Sequence, residues 1–333
     1  METQRLGMTF SRRSVNFGLP ALALSVAAGT KYSRAQTYPS QDIHFICGFA
    51  AGSGADIIVR FFAEKMRPLV GRPIVVENKP GALGSLATEY VARSKPDGHT
   101  VQIAGASSLA ANMHLFRNPP IDYGKAIQVA ATISQATMMV AVRPDAPWKD
   151  IAKLTAAMKQ KGERATYGFA TPIAKAIGAM YKQRADLKAV DVAYRTGADF
   201  LNDLASGNVD YVIADNIQAM AQARAGRMRL LAVGSSERMQ AVADIPTLKE
   251  FGYDVDIRTW WGAMVPSAAP RPVVDQLNAW VNKVVASDDA KKFLNDVASD
   301  PWASTPEAAQ AYFLQQIKDW GDYVRIAKIE PLG

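Results

Sequence analysis

Apolar residues along this chain gather in short unbroken runs, each followed by a stretch with apolar positions three or four apart. "IHFICGFAAGSGADIIVRFFAEKM" is the first instance: an apolar run, a glycine-rich break, then Ile57, Phe61, Phe62 and Met66 at helical spacing. The pattern predicts strand, loop and helix. "PIVVENKPGALGSLATEYVARS" repeats it, with Leu86, Tyr90 and Val91 on the helix, and "TVQIAGASSLAANMHLF" repeats it again. Runs that are apolar on both faces suit parallel strands covered on both sides. "MMVAVRPDAPWKD" then runs from a strand into proline punctuation, and a second series begins. It comprises "ATYGFATPIAKAIGAMYK", "DVAYRTGADFLNDLASGNVD", "YVIADNIQAMAQARAGR" and "MRLLAVGSS", again in strand–loop–helix order, with Gly207 as a helix stop. After "DIPTLKEFGYDVDIRTWWGAMVPS" the pattern turns to amphipathic helices, the last starting at Thr305 and Pro306.

Two α/β series in 333 residues predict two lobes with a cleft between them, where small-ligand sites tend to fall. The first segment has a different purpose. "SRRSVNFGLPALALSVAAG" places Arg12 and Arg13 before a short apolar stretch, Phe17 to Ala28, far short of the roughly 18 residues of a membrane span. This is the layout of a signal peptide, with a twin-arginine-like pair after Ser11 and an exit at Ser33-Arg34-Ala35 before Gln36. Val15 and Asn16 depart from the twin-arginine pattern, so general secretion is the rival route.

Export changes the charge argument. Residues 1–35 hold five of the 38 basic side chains and one of the 31 acidic ones, which leaves 33 against 30 and a net charge of +3 rather than +7. No Lys/Arg cluster with interleaved aromatics remains, so nucleic acid is not an expected partner. The single cysteine, Cys47, excludes an intrachain disulfide and a cysteine-based zinc site, and its place inside an apolar run suits packing.

The loops carry the candidate chemistry, because backbone N–H groups at a helix start attract anions. "GSGADI" offers Gly52 and Gly54 for a dinucleotide fingerprint, but Ile57 stands where the third glycine belongs. Glu77 ends the second strand at a position compatible with a ribose contact. A phosphate loop is excluded because no Gly-Lys-Ser/Thr follows. A carboxylate needs less: two or three N–H donors and a hydroxyl. Gly52 and Ser53, then Gly81, Ala82, Gly84 and Ser85, then Ser107 and Ser108, supply these at three equivalent helix starts. Taken singly, each loop is equally a tight strand–helix turn. The histidines, His44, His99 and His114, lack metal-ligand spacing, and "GASSL" is not a nucleophile elbow.

Across residues 37–333 the chain resembles the Bug-type extracytoplasmic solute receptors, the binding components of tripartite tricarboxylate transporters. Phe49, Gly52, Asp56 and Arg60 match that family's first motif, with Ala51, Ser53 and Val59 as departures. "VENKPGALGS" and "PDGHT" match the second, and "VAYRTGADFLNDLASGNVD", "IPTLKEFGYD" and "WWGAMVP" match later stretches. The resemblance implies a type II periplasmic binding protein, a Venus flytrap with parallel-sheet α/β lobes and a C-terminal helical segment. It implies no catalysis and no cofactor or metal. It assigns Gly52, Ser53, Asp56, Gly81, Ala82, Gly84 and Ser85 to a first-lobe carboxylate cradle, with Asp56 more a loop-orienting residue than an anion contact. In the second lobe "GFATPIAK" makes a less polar loop than is usual, with Ala170, Thr171 and Ile173, and Arg195 replaces a customary Lys. Arg195 either holds a second carboxylate or lies solvated; Thr196 follows it, Asp215 suits a contact or a helix N-cap, and Asn216 comes next. Trp260 and Trp261 either border the cleft or pack at the hinge.

The expected organisation is a signal peptide at 1–35, a first lobe at 36–140 plus 256–333, and a second at 141–255. The expected function is periplasmic: a monomeric receptor that captures a small mono- or dicarboxylate, aromatic ones included, and delivers it to the membrane subunits of a transporter. The alternatives are an exported nucleotide-dependent enzyme and a ligand sensor for a signalling partner.

Overall fold

The structure is a computed structural model and describes residues 38–332; the proposed signal peptide at 1–35 lies outside them. Along the chain run β1 (Ile43–Cys47), α1 (Gly54–Val70), β2 (Ile74–Asn78), α2 (Ser85–Ala92), β3 (Thr100–Gly105) and α3 (Ala106–Leu115). After α4 (Tyr123–Ala126) come β4 (Ile127–Thr137), β5 (Met139–Val142), α5 (Ile151–Lys161), β6 (Thr166–Phe169) and α6 (Pro172–Ala185). Next are β7 (Val190–Ala193), α7 (Phe200–Ser206), β8 (Tyr211–Ala214), α8 (Asn216–Arg224) and β9 (Arg229–Val233). The chain finishes with β10 (Arg258–Pro266), α9 (Arg271–Val285), α10 (Asp288–Asp296), β11 (Asp300–Pro301) and α11 (Pro306–Ile326). None of the described helices is long and apolar enough to cross a membrane.

Local signals account for the helices. Ser53 caps α1 by accepting from the Asp56 N–H, and Gly71 ends it in the left-handed region at φ 68°. Ile58, Val59, Phe62, Ala63, Met66 and Val70 form its buried stripe. Thr305 caps α11, with Pro306 in the first turn, where a missing N–H costs nothing.

Two mixed sheets result. The first has the order β11-β4-β10-β3-β1-β2 and the second β7-β6-β8-β5-β9. The strands of the repeated units pair in parallel, β2-β1-β3 in one sheet and β7-β6-β8 in the other. The returning strands add antiparallel: β10 against β3 and β4, and β5 against β8 and β9. Parallel-sheet lobes were expected, and the repeated units form them; an apolar run does not reveal strand direction, so the antiparallel returns were invisible in the pattern. The chain leaves the first sheet at Met138, between β4 and β5, and returns between β9 and β10. The stretch after β9 forms no full helix, only short 3-10 turns at Gln240–Val242 and Lys249–Phe251.

One core packs the first sheet against α1 and α9 through Phe45, Phe62, Ile133, Leu277 and Val281. A second runs continuously from α3 and α11 into α6 and the second sheet, through Leu109, Phe313, Ile177 and Tyr211. Trp260 is buried in this core, edge-on to Trp302, Tyr312 and Phe313.

Candidate functional site

The loops after β1, β2 and β3 meet at the carboxyl ends of their strands. Asp56 anchors the first. Its Oδ2 accepts from the Gly52 N–H at 2.8 Å and from Arg60 Nε at 2.8 Å, and its Oδ1 accepts from Asn78 Nδ2 at 2.8 Å. Asn78 also donates to the Phe49 carbonyl at 2.9 Å. The bond from Arg60, with help from the Gly52 N–H and Asn78, holds the Asp56 carboxyl at about 2 although its burial pushes the other way. Gly52 sits at φ 78°, which an L side chain rarely adopts.

The second loop is more strained. Gly81, Ala82, Leu83 and Gly84 all have positive φ, at 136°, 46°, 53° and 88°. For Ala82 and Leu83 this costs energy that the surroundings must offset. Asn112 Nδ2 contributes by donating to the Leu83 carbonyl and to Ser85 Oγ, each at 3.1 Å. A Cβ on Gly48 would lie 3.0 Å from the Gly84 Cα, so glycine there allows the first two loops to touch. The third loop passes straight from β3 into α3, whose first turn has no side-chain cap.

The second sheet faces these loops with its own strand ends. Thr171 Oγ1 caps α6 by accepting from Ala174 N at 3.1 Å, and Asp215 Oδ1 caps α8 by accepting from Gln218 N at 2.9 Å. Between the sheets lies a cavity of about 330 Å³. Its polar lining is Ser107, Ser108, Asn112, Thr171, Asp215, Asn216 and Thr259; its apolar lining includes Phe49, Leu83, Leu115, Met138, Ile173, Ile217 and Trp261. Three helix N-termini therefore open on one space: α3 from one sheet, α6 and α8 from the other. Among the described residues no Lys, Arg or His lines it.

Of the residues singled out from the sequence, Ser107, Ser108, Thr171 and Asp215 line this cavity. Arg195 and Thr196 line an adjoining pocket of about 210 Å³, which shares Thr171 and Asp215 with the cavity and includes Gln218. Gly52, Ser53, Asp56, Gly81, Ala82, Gly84 and Ser85 line neither; they shape the loops that carry Phe49 and Leu83 to the cavity wall. The two tryptophans part company because neighbouring strand residues face opposite ways: Trp260 is in the core and Trp261 is on the cavity. Asn112, Leu115, Met138 and Thr259 went unnoticed in the sequence. Only Asn112, an amide directly after the small-residue pair Ala110-Ala111, carried a signal. Glu77, the possible ribose contact, is engaged by His44 at 2.5 Å and Lys79 at 3.3 Å.

A larger groove of about 620 Å³ runs between α6 and residues 326–328. Lys175, Lys182 and Lys328 line it with Asp186 and Asp191, charges of both signs, beside the C-terminal end of α6. A helix C-terminus repels anions, so the cavity between the sheets is the better candidate for an anionic ligand.

Two α/β lobes facing each other across a small, largely apolar cavity have the geometry of a two-lobed ligand-binding protein. The comparisons agree. The family model described as "Tripartite tricarboxylate transporter family receptor" matches residues 58–329, and the chain belongs to that family. It is therefore a solute-binding receptor of the periplasm and not an enzyme. A UPF0065 protein of Bordetella bronchiseptica is 30% identical over 316 residues, covering 93% of this chain and 91% of that one. The solved structure of the periplasmic binding protein BugD is 28% identical with a TM-score of 0.71, covering 89% of this chain and 100% of that one. Rpa4515 of R. palustris, solved with adipate, shares the fold at 24% identity and a TM-score of 0.75, covering 89% of this chain and 100% of that one.

Proposed function

We propose that the cavity between the sheets captures a small organic carboxylate and that the loaded receptor delivers it to the membrane subunits of a tripartite transporter. Residues 1–35 would direct export and be removed; the lobes would comprise 36–140 plus 256–333 and 141–255. The convergence of the α3, α6 and α8 N-termini on one largely apolar cavity supports this most directly. Each helix end favours a negative charge by about 0.3–1 kcal/mol, and up to about 2 kcal/mol when partly buried. A micromolar ligand needs about −8 kcal/mol, so burial of the ligand body and the hydroxyls of Ser107, Ser108 and Thr171 must add to the helix ends. Gly52, Ser53 and the Gly81–Ser85 loop act by placing Phe49 and Leu83. Asp56 is the loop anchor.

The test is a thermal-melt screen of residues 36–333 against aliphatic, aromatic and amino-acid carboxylates, with nucleotides included. A ligand at 100 times its dissociation constant adds roughly 2.7 kcal/mol of stability. A shift with carboxylates supports the proposal. A shift with nucleotides alone would overturn it.

A further inference from the structure

We infer that the apolar lip of the cavity, formed by Phe49, Leu83, Leu86, Tyr90 and Ile217, is the surface that docks on the membrane subunit of the transporter. This rests on the delivery reading above. Each of the five side chains is between 40% and 53% exposed.

The lip is continuous with the cavity mouth. Phe49, Leu83 and Ile217 line the cavity and also reach solvent. A Cβ on Gly54 would lie 4.0 Å from Ile217 Cδ1, so this residue of α8 meets the first loop of the other sheet. A Cβ on Gly84 would lie 3.9 Å from Phe49 Cε2, and one on Gly81 would lie 2.6 Å from Leu86 Cδ1, which joins the lip to α2. Leu86 and Tyr90 stand four apart on α2, on the side that the buried Ala87 and Val91 leave to solvent. Their spacing with Val91 predicted a core-facing stripe, but only Val91 is buried.

Folding alone does not account for this surface. Leu83 adopts φ 53° directly after Ala82 at 46°, and this strain leaves the Leu83 side chain half exposed rather than buried. The rim is polar: Lys79 Nζ lies 4.0 Å from the Tyr90 ring centre and 3.3 Å from Glu77, and Glu89 pairs with Arg93 at 3.7 Å. An apolar centre inside a polar rim is the anatomy of a protein interface. A stable dimer buries about 800 Å² on each partner, more than five half-exposed side chains offer. The lip therefore suits a transient contact rather than a second copy of the chain. Passing a ligand into a transporter requires the transporter to cover the mouth, whereas a signalling partner could read any surface. A patch that borders the mouth fits the membrane subunit.

The test attaches benzophenone maleimide to Tyr90→Cys and, as a control, to Val190→Cys, a similarly exposed position on the outer strand of the second sheet. Cys47 is buried and is spared by the label. Each labelled mature chain is irradiated with proteoliposomes holding the membrane subunits of a tripartite transporter from the same organism. The label at position 90 should cross-link to a membrane subunit, and the label at 190 should not. Adding Leu86→Asp to the Tyr90→Cys chain should lower that yield about tenfold. The melts of the two chains should coincide, because the change is on the surface. Neither Leu86 nor Tyr90 lines the cavity, so the variants leave the ligand site as it was. An equal or greater yield from position 190, or a yield indifferent to Leu86→Asp, would overturn the docking surface and leave delivery intact. Cross-links between two copies of the receptor would overturn it in favour of self-association. Cross-linking from neither position would overturn the delivery reading and this inference together.

Discussion

At the scale of single residues, Asp56 shows how a buried charge is kept. Its carboxylate receives a guanidinium, a backbone N–H and an amide, while Arg60 stays half exposed. Removing it leaves Gly52 N, one Asn78 N–H and the Arg60 guanidinium without their acceptor, so Asp56→Ala should cost about 2 kcal/mol. That corresponds to a fall in Tm of roughly 3 °C in a chain of this length. An unchanged melt would mean that the loop holds without its anchor. The pH dependence has a definite sign. The folded pKa is about 2, below the ordinary value of about 3.9, so the stabilisation is complete above the ordinary value and is lost as pH falls through about 2. The difference in Tm between the native protein and Asp56→Ala should therefore shrink as pH drops from about 4 to 2. A constant gap would show that packing, not ionisation, sets the cost. Residues of this kind are legible in sequence because a charge inside an apolar helix requires a partner. Phe49, Leu115, Met138 and Ile217 are not legible as cavity walls, since an apolar residue beside a cavity has the same local pattern as one in the core.

Elements were legible where pattern and punctuation agreed. Apolar runs ending in glycine or serine became strands handing over to helices, because a strand covered on both faces has no polar positions and a helix start needs flexible backbone; β9 is the exception, its Gly-Ser-Ser leading only into short 3-10 turns. Pairing direction and the extent of β4 and β10 were not, because register and direction depend on residues distant in sequence. The α6 helix shows such a distant constraint. Gly178 is buried in its middle, and a Cβ there would lie 2.2 Å from the ring of Tyr167, which stacks on Tyr211 at 5.5 Å between centroids. Alanine in a helix ordinarily gains about 0.5–1 kcal/mol over glycine. Overpacking a fixed ring costs about 1–3 kcal/mol. The steric term should win, so Gly178→Ala should lower the Tm by a few degrees. A rise would mean that the tyrosine pair yields readily.

At the scale of the whole molecule, the two sheets are joined by more than the two chain crossings. β11 pairs with β4 of the first sheet, yet its Asp300 carboxylate accepts from Gln240 N at 2.8 Å and Ala241 N at 2.7 Å, in the segment that follows β9 of the second. Ala298 packs into the second sheet's core at φ 51°. Asn216, which lines the cavity, donates to Val297 O at 2.5 Å and Ser299 Oγ at 3.2 Å. Residues 297–301 thus form a clasp between the lobes, tied at one end to the cavity. Receptors of this architecture shift between open and closed arrangements, and ligand selects the closed one. A clasp of this kind limits how far the unliganded lobes can part. Asp300→Ala leaves two backbone N–H groups without their acceptor, at a cost of about 2 kcal/mol. The radius of gyration of the ligand-free variant, measured by small-angle scattering, should exceed that of the native protein, and saturating ligand should bring the two together. Equal values without ligand would show that the crossings at Met138 and between β9 and β10 set the opening by themselves. A variant that stays wide with ligand bound would instead make the clasp a requirement for closure.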